Sequence, residues 1–397
     1  LALEGSLALP LPDETKNIYN FCSFTPMAGR KFNIAFSTIG TMPFVLYLRM
    51  VLTFRVYPRY YVRCLIAGLI SIVAEPFRWL EIALFSRKLS RTPLPKSPVF
   101  ILGHWRSGTT LLHNAMAQDK QFAFINTFQS VFANQFFASR WLFKPLMRML
   151  MPEKRPADNV LLSTEFPQEE GIALSNVNSF GFYNFFYFPR DWKEMYARYI
   201  SGEASSEKQL KKYRQRYKHL IAQALTEYKR KEFISKFPPN TGSIRHLLDM
   251  FPDAKFVYIY RHPLMVFQST VNFFKTTHEA LQLQPYSREE FEEMVFSLYE
   301  MIIRDYESQK ALIPAHNLVE IRYEDFEADP LSGLKEIYTA LRIEGFEQSI
   351  RAFTTYLNSQ KKFEKGHHDF DRNEVARITA RLDFAMKQYG YSVELTA

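Results

Sequence analysis

The sequence predicts an α/β protein: a doubly wound parallel sheet flanked by helices and preceded by an N-terminal helical extension. Three observations carry that prediction. Short apolar runs at 99–102, 233–236, 255–260 and 318–323 alternate with helical periodicities, the pattern of parallel strands joined by crossover helices. The first run stops at a loop bounded by Gly103 and Gly108, with a helical pattern directly behind it. A proline-rich segment, residues 92–98, sets this alternating region apart from a strongly apolar stretch before it. The expected organisation is therefore a helical segment over residues 1–91 and an α/β domain over residues 92–397.

Taken in order, residues 32–85 are mostly apolar, with Arg49, Arg55, Arg59 and Arg63 recurring among aromatics. This region reads first as helices packed on the main domain. Basic residues beside Phe, Tyr and Leu also fit a segment lying on a membrane surface. A transmembrane anchor fits least, because charges and polar residues interrupt every stretch near spanning length. Val99 to Leu102 is a buried strand, and Thr109 to Gln118 a helix with Leu111, Leu112, Ala115 and Met116 at core spacing. Ile244, Leu247, Leu248 and Phe251 mark another helical face, and a helix starts near Leu264 after the strand 255–260. Ser206 with Gln209, and Ser287 with Glu290, fit the capping box that opens a helix. The first of these helices carries Lys208, Lys211, Lys212, Arg214, Arg216 and Lys218, a basic run that reads as a solvated face.

Composition bounds the function. Hydrophobic residues make up 47% and charged residues 23%, which excludes a disordered or fibrous chain. Cys22 and Cys64 are the only cysteines, so no disulfide framework exists and a reducing, cytoplasmic setting is expected, with the membrane surface as a peripheral alternative. The nine histidines are scattered and neither cysteine has a partner motif, so no metal is expected. A net charge of +9 with 16% aromatics suits an anionic ligand beside an apolar one. Composition alone does not separate that pair from nucleic acid, but no nucleic-acid motif is present and none is expected as a partner. Composition is silent on oligomeric state.

The sharpest feature is the loop Gly103-His104-Trp105-Arg106-Ser107-Gly108-Thr109-Thr110. Its glycines have the spacing of a P-loop, in which backbone amides converge on a phosphate at a helix N-terminus. The lysine that would follow the second glycine is replaced by Thr109, and a cation stands inside the loop as Arg106. That shift argues against a kinase or ATPase and for a P-loop-like site whose donor needs no metal. A second strand–helix unit, 255–270, places Arg261 at a strand end and Ser269 within the next helix, a pair able to grip one phosphate.

These two elements resemble the 5′-phosphosulfate-binding loop and the 3′-phosphate-binding strand and helix of sulfotransferases, which use 3′-phosphoadenosine 5′-phosphosulfate (PAPS). The Arg-Ser-Gly-Thr-Thr form is similar to carbohydrate, tyrosylprotein and bacterial members. Weaker likenesses extend it. Residues 233–242 resemble a family segment with Lys-x-Pro-x-His, here with Asn240 where His is common. Residues 155–159 and 167–170 resemble an acidic segment of bacterial members, with Gly171 replacing its last acid. Tyr323-Glu324-Asp325-Phe326 follows a late strand as in the family, and 363–368 loosely matches a cofactor-side loop. The resemblance implies a doubly wound sheet and in-line sulfonyl transfer to a hydroxyl. It implies that Ser107, Gly108, Thr109 and Thr110 hold the 5′-phosphate, Arg106 the departing oxygen, Arg261 and Ser269 the 3′-phosphate, and that Lys365 lines the cofactor. The general base stays open among Glu170, Glu169 and His104, with Asp158 behind them.

Two clusters, Phe180 to Phe188 and Phe122 to Phe137, crowd aromatics between the cofactor elements. A Phe-walled pocket favours a lipophilic alcohol such as a sterol or lipid alcohol. A carbohydrate or glycolipid acceptor is the alternative, since rings also stack on sugars. A non-catalytic nucleotide-binding protein of the membrane surface is the rival of another class.

Overall fold

A computed structural model describes residues 38–151, 163–360 and 372–392. The chain enters through α1 (Phe44–Thr53) and the 30-residue α2 (Tyr61–Ser90). Then follow β1 (Val99–Leu102), α3 (Thr109–Met116) and β2 (Phe122–Ala123). A helical insertion comes next, with α4 (Thr127–Val131), α5 (Arg140–Leu150), α6 (Glu170–Asn176), α7 (Trp192–Tyr199) and α8 (Glu207–Tyr228). The sheet resumes with β3 (Glu232–Lys236), α9 (Ile244–Met250), β4 (Lys255–Tyr260), α10 (Pro263–Leu281), α11 (Arg288–Gln309) and β5 (Leu318–Arg322). Helices α12 (Tyr323–Ala328), α13 (Pro330–Ala340), α14 (Phe346–Gln360), α15 (Arg372–Arg381) and α16 (Asp383–Gln388) close the described chain.

Among the described residues five strands form one sheet, all parallel, in the order β2-β3-β1-β4-β5. The four residues of β1 are fully buried between β3 and β4, with Val99 opposite both Ile234 and Lys255. Helices cover both faces, which is why these strands read as unbroken apolar runs rather than alternating ones. The strand order reverses direction at β1, and ligands of such sheets bind outside the carboxyl ends of the strands at that point. The loop after β1 therefore stands at the topological focus of the sheet.

Both expected capping boxes are present, with reciprocal Ser206–Gln209 and Ser287–Glu290 bonds opening α8 and α11. Lys208, Lys211 and Lys212 are exposed, and the inner face of α8 buries Tyr213, Tyr217, Leu220 and Leu225. Strand β2 was outside the sequence-based expectation because two residues carry no periodicity. Tyr323, expected to close the last strand, instead opens α12.

Helices α1 and α2 share the main core. Met42, Tyr47, Met50, Phe54 and Ala67 join the same hydrophobic cluster as Phe180 and Phe188. The buried Glu81 of α2 accepts the backbone N–H groups of Phe137 and Ala138 at 2.9 and 2.8 Å. Phe100 and Leu102 of β1 belong to that hydrophobic cluster too, so the N-terminal helices and one face of the sheet are packed together.

Candidate active site

The loop between β1 and α3 is built by backbone conformation that only certain residues supply. Gly103 has φ 140° and Gly108 φ 100°. A Cβ on Gly103 would meet the Ile259 carbonyl and come within 2.8 Å of Ser107 Oγ, and one on Gly108 would strike the Tyr323 ring. The Gly103 N–H and C=O are both held by the Thr241 hydroxyl, at 2.7 and 3.2 Å. No side chain caps the N-terminus of α3, so its leading amides and positive dipole end face the loop. Gly108→Ala is expected to lose about 1–3 kcal/mol of stability through its forbidden φ. Chemical denaturation checks this, and an unchanged midpoint would mean the loop relaxes without strain.

Arg106 also adopts a left-handed conformation, φ 67°, which turns its side chain toward α10. There its Nε donates to Ser269 Oγ at 2.9 Å, and its guanidinium lies 5.9 Å from the Phe273 ring centre. Arg261, at the end of β4, donates from Nη1 to the Arg106 carbonyl at 3.3 Å and rests 4.4 Å from the Tyr323 ring centre. The two anion-binding elements read from separate parts of the sequence thus meet through direct hydrogen bonds. Ser107 turns its hydroxyl proton inward, to the His104 carbonyl at 2.8 Å, and so shapes the loop.

Thr110 connects the loop to a cation that sequence reasoning left without a role. Lys236 ends β3 with its side chain only 3% exposed, and its Nζ reaches Thr110 Oγ1 at 3.3 Å and Glu169 Oε1 at 2.5 Å. A buried lysine needs an anion within reach, and its position at the end of an apolar strand was the available signal. The other oxygen of Glu169 accepts from the Tyr183 hydroxyl, which in turn accepts from Trp105 Nε1 at 2.9 Å.

The three candidates for a base occupy different environments. The Glu169 side chain is 12% exposed beside the loop. Glu170, the next residue, is 1% exposed and turned inward. Its oxygens accept from Tyr217 at 2.6 Å, Asn240 at 3.2 Å, the Lys236 N–H at 3.3 Å and the Ser235 hydroxyl. Burial raises its pKa, partly offset by the Ser235 and Tyr217 bonds. His104 is also enclosed. Its Nδ1–H donates to the Trp105 carbonyl at 3.0 Å, and its ring lies 4.8 Å from Tyr299 in a small cavity behind the loop. Burial pushes its pKa down to about 4, so the ring is neutral near pH 7. Lys365 and Asp158 lie outside the described residues.

The aromatic clusters separate. Phe180 to Phe188 is buried directly against the loop: Tyr183 and Phe182 each lie 6.2 Å from Trp105, and Phe186 lies 6.2 Å from Phe273. The Phe122 to Phe137 group packs mainly elsewhere, with Phe124 against Tyr228 and Phe137 against Phe85. Only the first cluster walls the site.

Comparison with known proteins supplies the family. A family model described as "Sulfotransferase family" matches residues 98–348, well over half of the chain. The chain is 27% identical over 313 residues to omega-hydroxy-beta-dihydromenaquinone-9 sulfotransferase Stf3 of Mycobacterium bovis and of Mycobacterium tuberculosis, covering 79% of this chain and 80% of each relative. Among solved structures, the fold is similar to sulfotransferase STF9 from Mycobacterium avium, with TM-score 0.67, 16% identity and coverage of 87% and 90% of the two chains. It is also similar to STF1 from Mycobacterium tuberculosis H37Rv, with TM-score 0.61, 14% identity and coverage of 88% and 93%. The family model, matched over residues 98–348, identifies the chain as an enzyme of the sulfotransferase family.

Proposed function

We propose that this enzyme transfers a sulfonyl group from PAPS to the hydroxyl of a lipophilic alcohol, a lipid or sterol. One observation carries the donor reading: the Arg106–Ser269 and Arg261–Arg106 bonds put two candidate anion-binding elements side by side at the carboxyl ends of the neighbouring strands β1 and β4. A donor with both a 5′-phosphosulfate and a 3′-phosphate suits that pairing. The uncapped α3 N-terminus, the two glycines without room for a Cβ and the cations Arg106 and Arg261 all fit such a ligand.

PAPS supplies an activated sulfonyl group on a phosphate leaving group. Glu169 accepts the acceptor's hydroxyl proton while the acceptor oxygen bonds to sulfur. Arg106 meets the negative charge left on the bridging oxygen as its bond to sulfur breaks. Lys236 stands between Glu169 and the loop and adds positive charge on the sulfonyl side. These groups act by placement and charge, the two effects that contribute most to in-line transfer. Glu169 is preferred over Glu170 because its side chain is 12% exposed and is joined to the loop through Lys236 and Thr110, whereas Glu170 is 1% exposed and held by internal donors alone. The buried, neutral His104 serves the loop's shape.

The lipophilic acceptor is supported by the wall of Phe182, Tyr183, Phe186 and Phe273 around Trp105 and Arg106. It is also supported by relatives named as sulfotransferases of a hydroxylated menaquinone. Incubation with PAPS and a mixed panel of sterols, lipid alcohols, phenols and sugars, with mass detection, tests it. Sulfated lipid alcohols are expected, and sulfated sugars alone would reverse the acceptor reading. Arg261→Ala should weaken binding of the bisphosphate product roughly 10- to 100-fold, the worth of one charge-assisted bond to phosphate. Calorimetry checks this, and unchanged affinity would remove Arg261 from the 3′-phosphate site.

A further inference from the structure

Except for Phe166 and Leu312, every exposed large hydrophobic side chain among the described residues lies on α1, α2 or α5. On α2, Leu65, Leu69, Val73 and Trp79 are 54–64% exposed, and on α5, Trp141 and Met149 are 71% and 74% exposed. The three helices are joined. The Phe44 N–H of α1 donates to Glu75 of α2 at 2.6 Å, and Phe77 of α2 lies 5.1 Å from Phe143 of α5. A concentration of apolar surface on this scale marks an interaction site in a globular protein.

The charges around this face select the occupant. Arg55 and Arg59 are exposed near the front of α2, and Arg87, Lys88 and Arg91 at its rear. The only acids in the three helices, Glu75 and Glu81, turn away from solvent to bond Phe44, Arg78, Phe137 and Ala138. Glu165, the acid paired with α5 whose side chain is 44% exposed, is matched by two of that helix's cations, Lys144 and Arg148. An apolar face with cations at both ends and no outward acid on its own helices complements an anionic lipid surface. A second copy laid on this face, in either direction, would set positive ends against positive ends.

The helix is also pinned along its other side. Glu81 bonds two backbone amides, Ser71 donates to the Met42 carbonyl at 2.6 Å, and the buried Ala67, Gly68 and Ala74 form its inner stripe. A helix about 45 Å long and bonded this way presents one face only, so it lies along a membrane rather than across it.

We propose that α1, α2 and α5 form a docking face that seats the enzyme in the interface of an anionic bilayer. Resting on the lipophilic-acceptor reading, the face also explains how such an acceptor reaches the site. Phe54, just past α1, packs 5.2 Å from Phe180 and 5.0 Å from Phe188. Those residues belong to the aromatic stretch that walls Trp105 and Arg106.

Flotation with phosphatidylcholine vesicles, with and without phosphatidylglycerol, tests the proposal. The protein should float with the anionic vesicles and be released by alkaline carbonate. The triple variant Leu65→Glu/Leu69→Glu/Val73→Glu should lower the bound fraction at least about tenfold. The variant Arg59→Glu/Arg87→Glu/Lys88→Glu should lose the preference for anionic lipid, and it provides a second test if the first variant folds poorly. Retained turnover of a short, water-soluble alcohol by these variants would separate membrane docking from the sulfotransfer reading. Absence of flotation, retention through carbonate, or a dimer dissolved by the triple variant with flotation unchanged would each overturn the proposal.

Discussion

Arg106→Ala is expected to cut turnover by roughly 10²- to 10³-fold, the loss seen when one preorganised group is removed from a developing charge. The left-handed backbone at Arg106 aims its side chain across the loop to Ser269, beside Phe273. That placement costs no rearrangement at the moment of transfer. In the proposed site the 5′-phosphate would keep the α3 amides and the 3′-phosphate would keep Arg261, so affinity for the bisphosphate product should change far less than turnover. Rapid-quench turnover and calorimetric binding read the two separately. Equal losses in both would make Arg106 an ordinary binding group, and unchanged turnover would remove it from the reaction.

Glu169→Gln is expected to lower turnover by roughly 10²- to 10⁴-fold, the range for loss of a positioned general base. Glutamine keeps the size of the side chain but takes the anion from buried Lys236, so this variant also loses stability, and its turnover is read per folded molecule. Glu170→Gln gives the contrast. Its carboxylate accepts from Tyr217, Ser235, Asn240 and the Lys236 amide, so an amide there presents a donor to donors. That variant should lose stability first, with activity falling only as the folded fraction falls. Turnover per folded molecule, measured beside thermal denaturation, distinguishes the two. Normal turnover in Glu169→Gln would move the base elsewhere.

The adjacent glutamates show where sequence reasoning stops. Glu169 is the extended N-cap of α6 and Glu170 its first helical residue. That one-residue step separates a carboxylate bonded to Lys236 and Tyr183 from one sealed in the core. What seals Glu170 comes from Tyr217, Ser235 and Asn240, none of them near it in sequence. The β1 loop was legible for the opposite reason. Its glycines, arginine and hydroxyls are contiguous, and their conformation follows from local rules about positive φ and helix N-termini. The strands 99–102, 233–236 and 255–260 were legible because both sheet faces are covered, which leaves unbroken apolar runs. Lys236 carried a weak signal, a charge ending such a run, but its role depends on Glu169 and Thr110 being brought to it. The N-terminal helices had three sequence-based readings, because periodicity does not say which neighbour covers a face. The fold resolves part of that question by turning Glu75 and Glu81 inward and leaving Leu65, Leu69 and Val73 outside.

The central claim is that the β1 loop and the β4–α10 unit form one site for a 3′,5′-bisphosphorylated nucleoside. Calorimetric titration of the enzyme with 3′-phosphoadenosine 5′-phosphate and with adenosine 5′-monophosphate tests it most directly, with no acceptor required. Binding of the bisphosphate should be at least about 100-fold tighter, since Arg261 and Ser269 each add a bond to the second phosphate. Equal affinity for the two nucleotides would contradict the account.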